Sequence, residues 1–472
     1  MSLLDWKKFA MQVRTYHTAW IVILLSAFLC GFTSHPIDSV GADIVLTAAS
    51  SYDALAALHG GERFQNGAHL RVLHHGLLQD LVPQFADSSD AQVSFDGQRI
   101  LFAGKPHVGD PWQIWELQLS DHALRRLIAG EQDAILPFYL PYGSFVYAQH
   151  TAHGFQLEVA GKRSTGALDP IVADPQSSAH LITHLSGSAL PQAVLHDGRI
   201  LFASSYPLGS GSKPELYLTY SDGSGVESYR CDHQQAEDYG RWGGHQLASG
   251  DLLFTHGRSL ALFTSSSADE VAIHAPLAEY DGGIAETHTG DLIVSARNSN
   301  HSPYALKLLT LGTEKLRTIV NAREQNLVEP VLLAPSLRPK RHPSALHNWS
   351  YANLLALDAR LERDGSIAQN PVQVQLETQD KKGNAVVVGH AQVEPDGSFF
   401  VKVPANRPIR FALLDQNGRM IRQQQGWFWS AAGEQRICVG CHTGPERAAT
   451  NHVPQVLLRS TTPRDLTQMP DL

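Results

Sequence analysis

The chain has little cysteine, little methionine and no excess of positive charge. It contains 4 cysteines and 4 methionines among 472 residues, and its formal net charge is -9. An acidic balance argues against a nucleic-acid-binding protein, which usually presents a basic face. The sequence also lacks a phosphate-binding glycine loop and a metalloprotease motif. Charged residues at 18% and hydrophobic residues at 43% are typical of packed globular domains, and the length predicts two or three of them.

Half of the scarce cysteine lies in one motif, Cys-x-x-Cys-His, formed by Cys438, Cys441 and His442. A redox dithiol would normally follow a strand in a βαβ unit, which the β-rich surroundings do not provide. A four-cysteine zinc site is excluded, because Cys30 lies in an apolar run and Cys231 is remote in sequence. Zinc held by both motif thiols, His442 and His452 remains possible. Of these interpretations, covalent haem c requires the fewest further residues. It needs two thiols and an adjacent imidazole that ligates the iron as proximal ligand.

The N-terminal segment predicts export. Lys7, Lys8 and Arg14 precede an uncharged apolar run between Thr18 and Phe32, a pattern typical of a secretory signal. The run also approaches the length of a single membrane anchor. We therefore expect residues 1–42 to be a signal peptide or N-terminal anchor. The remainder is expected in the periplasm or another extracytoplasmic space.

Residues 43–325 predict a β-propeller. A glycine turn followed by a short apolar strand recurs five times, and the spacings of the turn glycines are 46, 55, 52 and 40 residues. β-rich units with such a period are typical of propeller blades. A further, degenerate unit at residues 42–75 brings the expected number to about six. The turn glycines are Gly97, Gly143, Gly198, Gly250 and Gly290.

A Pro-rich linker is expected over residues 326–349, followed by a second β-rich unit over 350–472. Five short alternating strands over about 70 residues predict a small β-sandwich or partly open barrel. Trp427, Phe428 and Trp429 lie just before the haem motif, and we expect them to supply an apolar wall, to cap the sandwich core, or both. The expected fold class is therefore all-β, a propeller followed by a sandwich-like domain.

Two resemblances follow from these segments. "VSFDGQRILFAG" (93–104) and "WQIWELQL" (112–119) resemble the TolB-type propeller repeat. The segments "PDGSFFVKVP" (395–404), "WFW" (427–429) and "GEQRICVGCH" (433–442) resemble the haem-bearing middle domain of the hydrazine synthase alpha-subunit family. This resemblance implies thioether bonds at Cys438 and Cys441 and a proximal ligand at His442. The resemblance implies, for members that make hydrazine, a further haem domain and a tyrosine just after the motif. This sequence has one such motif and no tyrosine after it, so hydrazine synthesis is not implied.

Three functions remain open at the sequence level. The first is an exported single-haem c-type cytochrome for electron transfer, with the propeller as a docking platform for a redox partner. The second is a haem enzyme with an open iron site and a small-molecule substrate. The third is a propeller scaffold with a zinc clip. The sixth iron ligand would separate the first two. His452 is the nearest candidate in sequence, and the alternatives are His347, His390, His245, His288, Met420 and Met469.

Overall fold

The computed structural model describes most of the chain after residue 39. The described residues are 40–65, 67–141, 143–161, 178–205, 213–230, 240–266, 268–276, 278–313, 315–361, 370–424, 426–439 and 452–468. Residues 1–39 of the predicted signal or anchor, Cys231, Cys441 and His442 lie outside them. Within these ranges no helix is long and apolar enough to cross a bilayer.

The described strands before residue 333 form six four-stranded antiparallel sheets, as the predicted propeller requires. The strands of the first three blades are β1 (Ile44–Ala49), β2 (Ala68–His74), β3 (Leu77–Asp80), β4 (Asp87–Val93), β5 (Arg99–Lys105), β6 (Gln113–Gln118), β7 (Leu124–Ile128), β8 (Ala134–Leu140), β9 (Ser144–Thr151), β10 (Gly154–Ala160) and β11 (His180–Leu181). A short 3-10 helix (Ala56–His59) separates β1 from β2.

The remaining blades repeat the same up-and-down order. Their strands are β12 (Leu190–Val194), β13 (Ile200–Ser204), β14 (Glu215–Thr219), β15 (Glu227–Ser228), β16 (Arg241–Gln246), β17 (Leu252–His256), β18 (Ser259–Phe263), β19 (Val271–Ala272), β20 (Glu279–Glu286), β21 (Leu292–Arg297), β22 (Ala305–Leu309) and β23 (Leu316–Val320). The five predicted turn glycines each connect the first and second strands of a blade, with φ between 72° and 97°. This left-handed backbone is the reason for glycine at these turns.

The first blade is completed by a strand from the far end of the propeller sequence. Strand β24 (Asn326–Leu332) pairs antiparallel with β1, from Ile44 opposite Leu332 to Ala49 opposite Asn326. The propeller thus extends one strand beyond the boundary predicted at residue 325. The physical reason is closure, since a ring whose two ends share a sheet leaves only the short outer edges of its blades unpaired.

Every innermost strand of the propeller is interrupted by a bulge. The register with the neighbouring strand shifts in all six blades. The left-handed residues at these bulges are Asp90, Leu136, Gly243, Gly282 and Glu329. A bulge breaks the alternation of side chains and re-aims them. Polar side chains of the innermost strands are consequently turned towards the central channel.

The C-terminal domain is a two-sheet sandwich. One sheet has the order β31 (Gln435–Cys438), β25 (Tyr351–Ala356), β28 (Phe399–Pro404) and β32 (Arg464–Asp465), and the other has the order β27 (Ala385–Gln392), β26 (Gln373–Gln379), β29 (Ile409–Leu414) and β30 (Met420–Gln423). A short helix, α1 (Gln455–Arg459), packs on β28. The apolar core between the sheets includes Leu354, Leu376, Val401 and Phe411. The predicted sandwich-like domain is confirmed.

The sandwich packs directly on the propeller. Trp429 is 1% exposed, lies in the core of the third and fourth blades beside Phe202, and donates its indole N–H to Gly223 O at 3.0 Å. Trp427 instead lies under the guanidinium of Arg410. The tryptophan segment therefore has two roles, of which the insertion of Trp429 into the propeller was not predicted.

The linker after β24 crosses the propeller face that bears the blade turns. Ser336 N–H donates to Phe95 O at 3.1 Å, and Lys340 N–H donates to His196 O at 2.8 Å. His342 stacks on Tyr220 with ring centroids 3.6 Å apart. These contacts fix the linker across blades two and four although it has no regular secondary structure.

Candidate functional site

The Cys-x-x-Cys-His motif begins where strand β31 ends. This strand lies at one edge of its sheet and runs parallel to β25, with Cys438 opposite Ala356. The Cys438 carbonyl accepts the Leu357 N–H at 2.8 Å, and the half-buried free thiol packs against the sandwich core. Cys438 is therefore held by the fold, whereas Cys441 and His442 lie outside the described residues.

Large apolar side chains remain exposed around the motif. Ile437 is 65% exposed and Leu458 is 71% exposed, and Val439 and Val453 are exposed as well. Ile437 pairs with Leu355, which pairs with Phe400, so an apolar row crosses three strands on the outer face of the sheet. Exposed apolar surface of this kind is typical of a site that another group covers.

His452 lies at the same end of the sheet as Cys438. Its Nε2 is 3.4 Å from Oδ2 of Asp396, in the turn between β27 and β28. The same carboxylate accepts the Gln455 N–H at 2.7 Å at the start of α1. Although partial burial opposes it, hydrogen bonds from the Ser398 hydroxyl and the Gln455 N–H lower the pKa of Asp396. The ionised carboxylate orients the imidazole ring, as carboxylates commonly do for metal-binding histidines.

The pairing of the strands gives the distance between Cys438 and the segment that holds α1. Ala356 pairs with Cys438 on one side and with Phe399 on the other. Because neighbouring strands are about 4.8 Å apart, the Cys438 backbone lies about 10 Å from Phe399, next to the Ser398 that holds α1. The described chain thus stops at Val439, just after the edge strand β31, and resumes at His452, beside the turn that leads into β28.

The described part of this site fits a covalently bound haem. It offers a thiol at a fixed strand end, an apolar surface and an oriented histidine, which are the groups that haem c attachment and burial require. Two other candidate ligands have partners elsewhere in the sandwich. His347 stacks on Trp349 with centroids 4.2 Å apart, and His390 Nε2 is 2.9 Å from Oε1 of Gln375.

The propeller contributes a wall near the motif. Arg436, two residues before Cys438, donates to Val226 O at 2.5 Å. Glu434 accepts the Gly225 N–H at 3.1 Å. Both contacts are with the segment that joins the outer strands of the fourth blade. The strand that leads to Cys438 therefore lies beside this blade.

Sequence reasoning missed a second polar site, in the propeller channel. A cavity of about 580 Å³ is lined there by Arg63, Asp90, Asp281 and Glu329. Arg63 donates to Asp90 at 2.7 Å and to Glu329, and so joins the segment before β2 to β4 and to the closing strand. These charged residues are far apart in sequence, so no motif predicts that they meet. The sequence signal that could have been used is the paired glycines at 243–244 and 282–283, which mark bulges in the innermost strands.

Comparisons with known proteins agree with the sandwich and with the order of domains. The family model for the hydrazine synthase alpha subunit middle domain matches residues 352–443. This range contains Cys438, Cys441 and His442. No curated protein matches the chain in sequence.

A solved structure of hydrazine synthase shares the fold. The chain is similar to Kuenenia stuttgartiensis hydrazine synthase, with 15% identity, a TM-score of 0.75, and coverage of 89% of this chain and 71% of that chain. It also matches TolB from Acinetobacter baumannii, with 13% identity, a TM-score of 0.43, and coverage of 62% and 66% respectively. Residues 352–443 therefore match the family model of the hydrazine synthase alpha subunit middle domain, on a chain that has the fold of hydrazine synthase.

Proposed function

We propose that this protein is an exported c-type cytochrome with one haem, joined through thioether bonds to Cys438 and Cys441 and ligated by His442. The protein would transfer electrons or act as the redox subunit of a complex, and its propeller would be the docking platform for the redox partner. When bound, the haem supplies a one-electron couple. The carrying observation is that the family-matched sandwich presents Cys438 at a fixed strand end, bordered by exposed apolar side chains.

The chain's own residues would hold the group in three ways. Strand pairing fixes Cys438, so that one attachment point does not move with the following segment. Ile437, Val439 and Leu458 would exclude water from the porphyrin faces, which raises the reduction potential of a haem. Asp396 would keep the His452 ring oriented for the sixth position, and histidine on both sides of the iron favours electron transfer over ligand binding.

Attachment is tested with the exported protein made in a bacterium that matures c-type cytochromes. We expect a haem-associated peroxidase band on a denaturing gel, and we expect Cys438→Ala or Cys441→Ala to lose most of it. Cys231→Ser serves as the matched control and should keep the band. A parent protein without the band but with one equivalent of bound zinc would replace the haem proposal by the zinc clip.

A second function, an enzyme with an open iron site, is supported by the similarity to hydrazine synthase, which is itself an enzyme by name. The spin state of the ferric protein separates the two. Histidine on both sides gives a low-spin spectrum and no rapid binding of carbon monoxide. His452→Ala should then turn the spectrum high-spin, whereas His390→Ala, the control histidine on the other sheet, should not. A high-spin parent that binds carbon monoxide supports the enzyme.

A further inference from the structure

One mouth of the channel cavity is covered by the linker rather than by a blade. Residues 334–342 of the linker are called the strap from here on. A ring of blades surrounds a central channel and leaves its mouths open. Here the strap crosses the face that bears the blade turns, and part of it forms the wall of the cavity of about 580 Å³. The strap residues in that wall are Ala334, Pro335, Ser336, Leu337 and Pro339.

The opposite mouth is closed by the segment between β1 and β2. Because the strands of a blade alternate in direction, this connection between the second and third strands of the first blade lies on the face opposite to the glycine turns. Tyr52 and Arg63 of this segment line the cavity, and Leu58 is buried in the core of the neighbouring blades. Entry from this side would require the core to open.

The strap is held by contacts that can break without unfolding a blade. Within the described residues, its backbone donates two hydrogen bonds to the blades, from Ser336 to blade two and from Lys340 to blade four. His342 adds its stack on Tyr220, whereas Leu337 is 74% exposed. Segments with few buried apolar contacts open at a lower free energy than the core. The strap can therefore leave this face while the blades stay folded.

Two of the turn glycines make room for the strap. An added Cβ at Gly198 would collide with the Lys340 carbonyl oxygen, and one at Gly97 would lie 3.0 Å from Pro335 N. At Gly250 an added Cβ would meet no described atom within 4 Å. The φ angles of Gly198 and Gly250 are 90° and 97°, so both turns need glycine for the same left-handed backbone. At Gly198 the close approach of the strap is a second requirement.

We propose that the strap is a lid on the channel cavity, closed in this structure, and that its release from blades two and four admits solutes to the cavity. Both ends of the linker stay fixed. Leu333 N–H donates to Asp43 O at 2.8 Å beside the closing strand, and His347 N–H donates to Gly433 O at 2.9 Å in the sandwich. A segment without regular structure that is anchored at both ends is suited to such gating.

The volume of the cavity gives the lid a consequence. About 580 Å³ lies within the range of small-molecule sites, so the strap would decide which solutes reach the channel wall. The inference concerns the propeller and the linker alone, and it holds whether or not the motif at Cys438 carries a haem.

The test is the labelling rate of a cysteine on the cavity wall. Ala193→Cys places a thiol in β12 where Ala193 lines the cavity, and Ser120→Cys gives the rate of an exposed thiol. The full-length protein is treated with N-ethylmaleimide, and mass spectrometry of the peptides separates the new thiol from the native cysteines. With the strap closed, Ala193→Cys should react at least about tenfold more slowly than Ser120→Cys.

The turn variants then move the lid. We expect Gly198→Ala to raise the labelling rate of Ala193→Cys about tenfold, because its methyl group displaces the strap and labelling follows the open fraction. Gly250→Ala is the matched control. It strains the same kind of turn but touches no strap atom, so it should leave the labelling rate unchanged.

Two results would overturn the proposal. One is an equal labelling rate of Ala193→Cys in the Gly198→Ala and Gly250→Ala backgrounds, which would make the strap a static part of the wall. The other is labelling of Ala193→Cys at the rate of Ser120→Cys with the strap intact. Thermal unfolding shows whether Gly198→Ala is folded. If it is not, His342→Ala releases the strap without changing a turn and should raise the labelling rate about threefold; an unchanged rate there would equally overturn the lid.

Discussion

Asp281 illustrates how one buried residue makes stability depend on pH. The unfolded chain ionises this carboxyl with a pKa near 3.8, whereas burial raises the pKa to about 8 in the folded protein. Between these values the folded state holds a proton that the unfolded state has lost. Rising pH therefore favours unfolding in this window, and the effect ends above pH 8, where both states are ionised.

We expect Asp281→Asn to remove this dependence. An amide of the same shape has no charge to lose, so its stability relative to the parent should increase by up to about 1.4 kcal/mol per pH unit from pH 5 to pH 8. Urea denaturation at each pH gives the comparison. Parallel curves for parent and variant would show that Asp281 is already ionised in the folded state.

At the scale of elements, turns could be predicted from neighbouring residues, whereas pairings between distant strands could not. The five glycine turns were predictable because each needs a left-handed residue within a few positions of two apolar strands. Strands β30, β31 and β32 were missed, since edge strands of two to four residues are too short to show alternation. The pairing of β24 with β1 was also missed, because no local pattern records which distant strand completes a sheet.

The same division holds for the candidate sites. Cys438, Cys441 and His442 form a contiguous motif, so their shared chemistry could be proposed from the sequence alone. The position of His452 beside Asp396 depends on how α1 packs against the turn before β28. Arg63, Asp90 and Glu329 come from three segments and meet only when the ring closes, so no spacing in the sequence predicts their network.

Strand β24 is held in place by this network, and we expect Arg63→Met to destabilise the propeller by about 3–5 kcal/mol, since two buried carboxylates lose their cation. Arg71→Met is the matched control. Arg71 pairs with Asp80 at 2.9 Å on the surface, and its loss should cost no more than about 1 kcal/mol. Urea midpoints give the comparison.

A triple variant separates charge from packing in the same experiment. Arg63→Met combined with Asp90→Asn and Glu329→Gln removes the uncompensated charges and should recover part of the lost stability. Equal effects of Arg63→Met and Arg71→Met would show that the network does not hold the closing strand.

At the scale of the whole molecule, the sandwich and propeller are joined by contacts that surround Trp429. The buried indole lies near His184, whose pKa is lowered to about 4 by burial. Ser186 Oγ donates to Gln379 at 2.7 Å across the same junction. Because Trp429 is buried and hydrogen-bonded at this junction, the sandwich and the propeller should unfold together.

We expect Trp429→Ala to uncouple the two units, with a loss of about 3–5 kcal/mol from the cavity and from the unpaired Gly223 carbonyl. Scanning calorimetry should show one transition in the parent and two in the variant, and protease should cut the linker of the variant faster. Trp427→Ala, which removes the half-exposed neighbouring ring, should keep one transition. A single transition in Trp429→Ala would contradict a coupling role for this residue.

Ring closure also depends on two strands that are synthesised at different times. The closing pair joins Ile44 to Leu332, so β1 is made 288 residues before its partner. At about 5–20 residues per second, the edge of the first blade waits about 15–60 s for that partner after it emerges. An unpaired edge over such a time is exposed to other chains. A chain truncated before residue 326 would therefore leave this edge unpaired and open to other chains, whereas a chain that ends after residue 332 contains both strands of the closing pair.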